Sequence, residues 1–210
     1  MVVAEIVRGL YEGRFVPGQK LLENDLTQRF GVGRGSVREA LRCLEAEGMV
    51  TAVLNRGAAI RVFSRSGVRD LLEVMEQMAG VAARLAAERI CQPEDAAPLR
   101  KCVEAFEAGV ETGSFYPLAV ARYEFYGKLV ALAKNRELFR LLVRNEMTVV
   151  QTQFRSAFDL AHERQDLADY KRVVDRISAG DGAGAERAIR QLFKRAATSL
   201  QRLPDSHFAG

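Results

Sequence analysis

Apolar residues recur at helical spacing along most of this 210-residue chain, and the breaks between the periodic runs mark the elements. From Ala4 to Gly13 the spacing predicts a helix with Ile6, Val7, Leu10 and Tyr11 on one stripe. Phe15, Val16, Pro17 and Gly18 then signal a turn, because proline fixes φ and glycine supplies the permissive position. A short helix is predicted from about Glu23 to Phe30, turning Leu26 and Phe30 inward, with Gly31 just past its end. A third helix runs from near Arg34 to Gly48 and spaces Val37, Ala40, Leu41 and Leu44 as a core-facing stripe. The period then shortens. Met49 to Leu54 and Ala58 to Val62 read as two strands of a hairpin around Asn55, Arg56 and Gly57.

Beyond Phe63 no strand signal remains. Residues 64–67 read as a linker, and Val68 to Ile90 as a long helix with Leu71, Leu72, Met75, Met78, Ala79, Ala82, Leu85 and Ala86 on one broad face. Pro93 restarts a helix to about Val110, and the stretch from Thr112 to Pro117 breaks it. Further helices are predicted over Leu118–Ala133, Glu137–His162, Asp166–Ala179 and Gly184–Leu203. The expected architecture is mainly α: a winged helix-turn-helix over 1–63, the linker, an all-helical antiparallel bundle over 68–203, and a frayed tail over 204–210.

Composition narrows the class. The net charge of +4 is small, and residues 1–62 hold nine Lys and Arg against seven Asp and Glu. Local arrangement, not bulk charge, must therefore carry any nucleic-acid binding. The three cysteines, Cys43, Cys91 and Cys102, are odd in number and lack paired spacing, so inert thiols are expected rather than disulfide or zinc frameworks. Without an apolar run long enough to span a bilayer, and without a signal-peptide pattern, a cytoplasmic protein with no membrane partner is expected.

On the third predicted helix Arg34, Arg38 and Arg42 recur every four residues and line a face beside the apolar stripe. The planar fork of arginine suits phosphate oxygens and the O6/N7 edge of guanine. In isolation an ordinary amphipathic helix with a solvated basic side would look the same. The preceding helix and the following hairpin complete the order of a winged helix-turn-helix, whose second helix enters the major groove. These residues resemble the GntR family of bacterial transcription regulators: Pro17, Gly18 and Leu21; Glu23, Asp25 and Leu26; Phe30 to Arg34; Val37 to Leu41; Leu44 to Gly48; Arg56 and Gly57. The resemblance implies that Arg34 and Arg38 contact guanine edges, Ser36 a phosphate, and Arg56 and Gly57 the minor groove of a double-stranded operator. Three departures lie on that surface. Gly33 stands where a serine or threonine is frequent, Gly35-Ser36 where a Thr-Pro or Thr-Thr pair is, and Asn24 where an arginine is. A lost capping hydroxyl and a lost cation imply weaker or differently specified binding.

The second half is similar to the C-terminal effector-binding (FCD) domain of the FadR subfamily, through Asp70 to Val74, Ala83 to Glu88, Phe125 with the turn over 133–138, and Gly180-Asp181. Many members hold a metal ion there through one aspartate and two or three histidines, and the ion helps bind a small carboxylate. By that resemblance the ligand positions in this chain are Arg122, Tyr126, Tyr170 and Leu192, while its two histidines, His162 and His207, lie elsewhere. Arginine cannot ligate a divalent cation, and neutral tyrosine or leucine is a poor substitute, so neither a metal nor another cofactor is expected. Arg122 would supply the positive charge instead and take a carboxylate or phosphate bidentately. Tyr126 and Tyr170 would add hydroxyls, and Met75 an apolar wall. Asn145, on a face with Leu138, Leu142 and Val149, would need a hydrogen-bond partner if buried. The alternative stays open: Arg122 points to solvent, the tyrosines fill the old cavity, and Asn145 pairs with a neighbour.

Two functional expectations follow. One is a homodimeric regulator on a palindromic operator, responsive to a small organic acid or acyl-type effector without a metal. The other is a constitutive DNA-binding protein whose helical domain only dimerises. Catalysis is not expected, because no nucleophile–base pair and no phosphate-cradling glycine loop is present.

Overall fold

A computed structural model of the chain describes residues 1–53, 57–142, 146–157 and 159–209. Helix α1 (Val2–Tyr11) buries Ile6, Leu10 and Tyr11. Helix α2 (Glu23–Phe30) ends at Gly31, whose φ of 63° is the left-handed value that favours glycine. Helix α3 (Arg34–Ala46) buries the stripe of Val37, Ala40, Leu41 and Leu44. The wing is a three-stranded sheet in the order β1-β3-β2, from β1 (Lys20–Leu21), β2 (Val50–Val53) and β3 (Gly57–Ile60). Sequence reading missed β1, since two residues carry no period. It is held as a strand by pairing Lys20 with Ala59 and Leu21 with Ala58. Residues 54–56, including the expected hairpin contact Arg56, lie outside the described residues.

Of the stretch read as a linker, residues 65–67 are helical. Helix α4 (Arg65–Arg89) starts there because Ser64 caps it, its Oγ accepting from the Gly67 amide at 3.1 Å. A 3-10 turn (Pro93–Ala96) leads into α5 (Ala97–Thr112). Helix α6 (Phe115–Ala133) begins before Pro117, which sits in the first turn where its missing N–H is not needed. The single helix expected from 137 to 162 is instead α7 (Arg136–Leu142), α8 (Glu146–Gln153), a 3-10 turn (Arg155–Ala157) and the start of α9 (Leu160–Ser178). Asp159 opens α9 as its cap, with its carboxylate accepting from the His162 amide at 2.9 Å. Asn145 lies outside the described residues. Helix α10 (Gly182–Gln201) is capped by Asp181, which accepts from the Gly184 amide at 2.8 Å.

The long helix α4 packs along α10, α6 and α9, so its small residues Ala79, Ala82, Ala83 and Ala86 are all fully buried. The tail expected to fray is docked. Phe208 stacks on Phe154 at 5.1 Å and lies under the Arg65 guanidinium at 4.2 Å, while the Ala209 amide donates to Phe63 O at 3.0 Å.

The two halves meet through α8. Tyr11 of α1 and Thr148 of α8 share a buried hydroxyl–hydroxyl hydrogen bond of 2.7 Å. Gln153 accepts from the Phe63 amide at 2.8 Å and donates to Phe63 O at 3.0 Å and to His207 O at 2.8 Å. One continuous hydrophobic core runs from Val2 through Phe63 to Leu200. No helix among the described residues is long and apolar enough to cross a membrane.

Candidate functional site

Burial of one side of α3 forces its other side outward. Arg34, Ser36, Arg38 and Arg42 are exposed, with Gly33 extended at the helix start and no side-chain cap. Arg38 is held in place by α2: its Nε donates to both Glu23 carboxylate oxygens, at 3.0 and 2.9 Å. The Arg38 side chain is still 61% exposed and lines a cleft beside the wing, where a guanidinium can meet the paired acceptors of a guanine edge. Between α3, the start of α2 and the wing lies an open cleft of about 1050 Å³, lined among others by Lys20, Asn24, Arg38, Arg42 and Gly57. Arg34 and Ser36, on the first turn of α3, are exposed but are not among the residues that line it. Gly57 takes a φ of 100°, and a Cβ there would strike the carbonyl of Leu21, so β1 and the wing base can approach only with glycine. Sequence reading missed Glu23 as the partner of Arg38 and Lys20 as a cation of the cleft, although both stand within the matched motif.

In the helical half the structure brings Arg122, Tyr126, Tyr170 and Leu192 to one cavity of about 80 Å³ between α6, α8, α9 and α10. Met75 does not reach it. That residue lines a neighbouring void of about 20 Å³ with Tyr11, Tyr126, Met147, Thr148 and Gln151. Arg122 faces inward, but not as a free cation. Its Nη2 donates to Glu163 Oε2 and to Asp166 Oδ2, both at 2.8 Å, and its side chain is only 13% exposed. The expectation of a guanidinium waiting for a ligand carboxylate therefore fails: two protein carboxylates already hold it. Behind them Arg195 bonds Asp166 and, through Nε at 2.8 Å, Asp169, while Arg172 reaches Asp169 at 2.9 Å. Burial works against the charge of Arg122, yet Asp166, Tyr170 and Glu163 outweigh it and raise its proton affinity. His162, in the first turn of α9, puts Nε2 at 3.8 Å from Asp166 Oδ1.

These positions do not fit the metal that the resemblance implies. A paired guanidinium, two protonated phenols and a leucine offer no ligand set, and the oxygens of Asp166 are taken by two arginines. Among the described residues no group of three or more His, Cys, Asp and Glu is arranged to hold a metal ion.

The Tyr126 and Tyr170 hydroxyls lie 3.3 Å apart, with Tyr170 packed against Phe106 and Phe125. Burial pushes Tyr170 up to about 12, against the opposing pull of Arg122, and burial likewise lifts Tyr126 well above its ordinary value. Burial also pushes Tyr11 up to about 12. The sign is that of acids kept neutral by the fold. For Tyr11 and Tyr170 the stabilisation is complete below pH 10, the ordinary phenol value, and is lost as pH rises through about 12. In an ultraviolet titration we expect Tyr11, Tyr126 and Tyr170 to ionise only together with unfolding above about pH 11. Reversible ionisation of all phenols near pH 10 in folded protein would contradict it.

Comparison with known proteins follows the same division into halves. Residues 1–60 match the family described as bacterial regulatory proteins, gntR family, and residues 70–195 match the FCD domain. The chain is similar to the probable D-xylose utilization operon transcriptional repressor of Paenarthrobacter nicotinovorans, at 27% identity over 88% of this chain and 80% of that protein. It is similar to the Nta operon transcriptional regulator of Aminobacter aminovorans at 33% identity, over 60% of this chain and 59% of the relative. Among solved structures, E. coli McbR/YncC superposes with a TM-score of 0.84 at 18% identity, covering 96% of this chain and 95% of the other. At that identity the likeness is one of fold.

Proposed function

The chain belongs to the GntR family of bacterial regulatory proteins and carries an FCD domain; from that premise we propose how this DNA-binding transcription regulator, which is not an enzyme, reads its operator and its effector. The protein acts in the cytoplasm as a homodimer of the FadR type. Each copy lays α3 in a major groove, so that Arg34 and Arg38 read guanine edges, Ser36 holds a phosphate, and Asn24 and Gly33 border the backbone. Arg56 and Gly57 of the wing approach the adjacent minor groove. A second copy supplies the other half of a palindromic site, because one such helix covers only a half-site. A small molecule seated between α6, α8, α9 and α10 then favours one orientation of the DNA-binding halves over another.

The observation that carries this reading is the exposed arginine face of α3 opening on the cleft of about 1050 Å³ beside the wing. The small effector cavity, about 80 Å³, favours the second reading, a regulator whose helical half only dimerises. Selection from random duplex DNA, with sedimentation of the complex, tests the proposal. We expect enriched sequences with two-fold symmetry and a protein mass of twice 23.3 kDa on each site. A monomer on an asymmetric sequence would refute the dimer.

A further inference from the structure

Helix α8 has two working faces. Met147, Val150, Gln151 and Phe154 follow the spacing of one helical stripe, and all four line the cavity. Thr148 and Gln153, off that stripe, make the hydrogen bonds to Tyr11 and Phe63 that join the halves. Met147, Gln151 and Tyr126 also line the smaller void on the side of Tyr11 and Thr148, so these three residues border both the cavity and the junction. A cavity of about 80 Å³ admits a few atoms before a wall must move. The eight-residue α8 is the shortest helix in that wall.

The polar inventory of the cavity restricts what it takes. Arg122 is held by Glu163 and Asp166, and the two tyrosine hydroxyls hold each other. A carboxylate seated at Arg122 would meet both of those acids. Arg155, exposed at the rim and stacked on Phe115, and His162, with Nε2 at 3.8 Å from Asp166 Oδ1, are the other basic side chains of the lining. Gln151 is different: its side-chain oxygen is buried and has no hydrogen-bond partner among the described residues. A buried acceptor without a donor is costly, and a donor arriving with a ligand relieves it. Leu72, Val150, Phe154, Leu192 and Phe193 make up much of the apolar part of the lining.

We propose that the cavity takes an uncharged, mostly apolar small molecule with one O–H or N–H donor, that Gln151 reads that donor, and that α8 passes its seating to the Tyr11–Thr148 and Phe63–Gln153 contacts. This rests on the effector reading above and names its ligand class and its route. The ligand class is neutral, where the sequence alone pointed to an acid.

The test uses four matched probes on the full chain: benzyl alcohol and benzamide as neutral donors, anisole as a neutral compound without a donor, and benzoate as the anion. Thermal shift and anisotropy of a labelled operator are read together. The donors raise Tm and change operator affinity; anisole and benzoate do neither. Gln151→Leu keeps the fold and lowers donor affinity about tenfold, the size of one buried hydrogen bond. In Tyr11→Phe/Thr148→Val, where both partners are removed at similar shape, the donors still raise Tm but no longer change operator affinity. Benzoate or anisole acting as well as the donors, or undiminished binding by Gln151→Leu, overturns the ligand class while leaving the effector reading intact. An undiminished DNA response in the double variant overturns the route. Silence from all four probes overturns this proposal and the effector reading together, and operator binding then stands alone.

Discussion

Replacing Arg122 by alanine destabilises the protein by about 3–5 kcal/mol, the range seen when one partner of a buried ion pair is removed. The reason is what stays behind. Glu163 and Asp166 have side chains 13% and 10% exposed, and each loses a 2.8 Å bond to the same nitrogen. Asp166 retains Arg195, but Glu163 has no other ion-pair partner among the described residues and is left as a buried charge with little solvent to stabilise it. Arg172→Ala is the control: that side chain is 50% exposed, and Asp169 keeps Arg195, so a loss below about 1 kcal/mol is expected. Urea denaturation of both variants measures the difference. Adding Glu163→Gln to Arg122→Ala recovers part of the loss, because a neutral amide tolerates burial better than an unpaired carboxylate. A loss for Arg122→Ala no larger than that of the control would mean that water reaches the network and relaxes it.

Arg38→Ala weakens operator binding by about 1–3 kcal/mol, roughly 5- to 150-fold in Kd at fixed salt. Arg38 stands 61% exposed at the cleft, and its Nε is fixed by Glu23, so the fork meets DNA already oriented. Orientation made before binding lowers the entropy lost on complex formation. On the proposed reading of base edges rather than phosphates, the loss should fall on the selected operator and spare random duplex. Glu23→Gln makes the complementary change. It removes a negative charge from the interface and loosens Arg38, so affinity for random DNA rises while the ratio between operator and random DNA falls. Anisotropy titrations on both duplexes measure these quantities. Equal losses on operator and random DNA for Arg38→Ala would assign it to the phosphate backbone.

The N-terminal helices were legible because each buries a single stripe: Leu10 in α1, Leu26 in α2 and Leu44 in α3 lie where the period puts them. Strand β1 was not, since its two residues owe their conformation to Ala58 and Ala59, nearly forty positions away. The division of the segment from 137 to 162 was hidden for a related reason. Leu138, Leu142, Val149, Val150 and Phe154 are all buried, so the apolar count carries across the break, and the cap at Asp159 looks like any polar residue until the chain bends. In the helical half the family resemblance pointed to Arg122, Tyr126, Tyr170 and Leu192, which meet at one cavity. What Arg122 does there depends on Glu163 and Asp166, 41 and 44 residues on, and pairing at that distance leaves no local pattern. Starting α9 at Leu160 would have helped, because Glu163, Asp166 and Asp169 then fall at successive threes along one side.

The core that runs unbroken from Val2 to Leu200 bears on how such proteins can be recombined. A regulator of this kind invites cutting near residue 64 and rejoining a foreign head to a familiar sensor. Here that cut passes through the first turn of α4 and beside Phe63, whose backbone is gripped by Gln153 and by the tail at Ala209. A graft that carries the head without matching partners for Tyr11 and Phe63 inherits a mismatched seam, and on the proposed route the helical half loses its link to the head. Modularity in this architecture belongs to the head together with its seat on α8, and the unit of exchange is larger than the domain boundary drawn along the sequence.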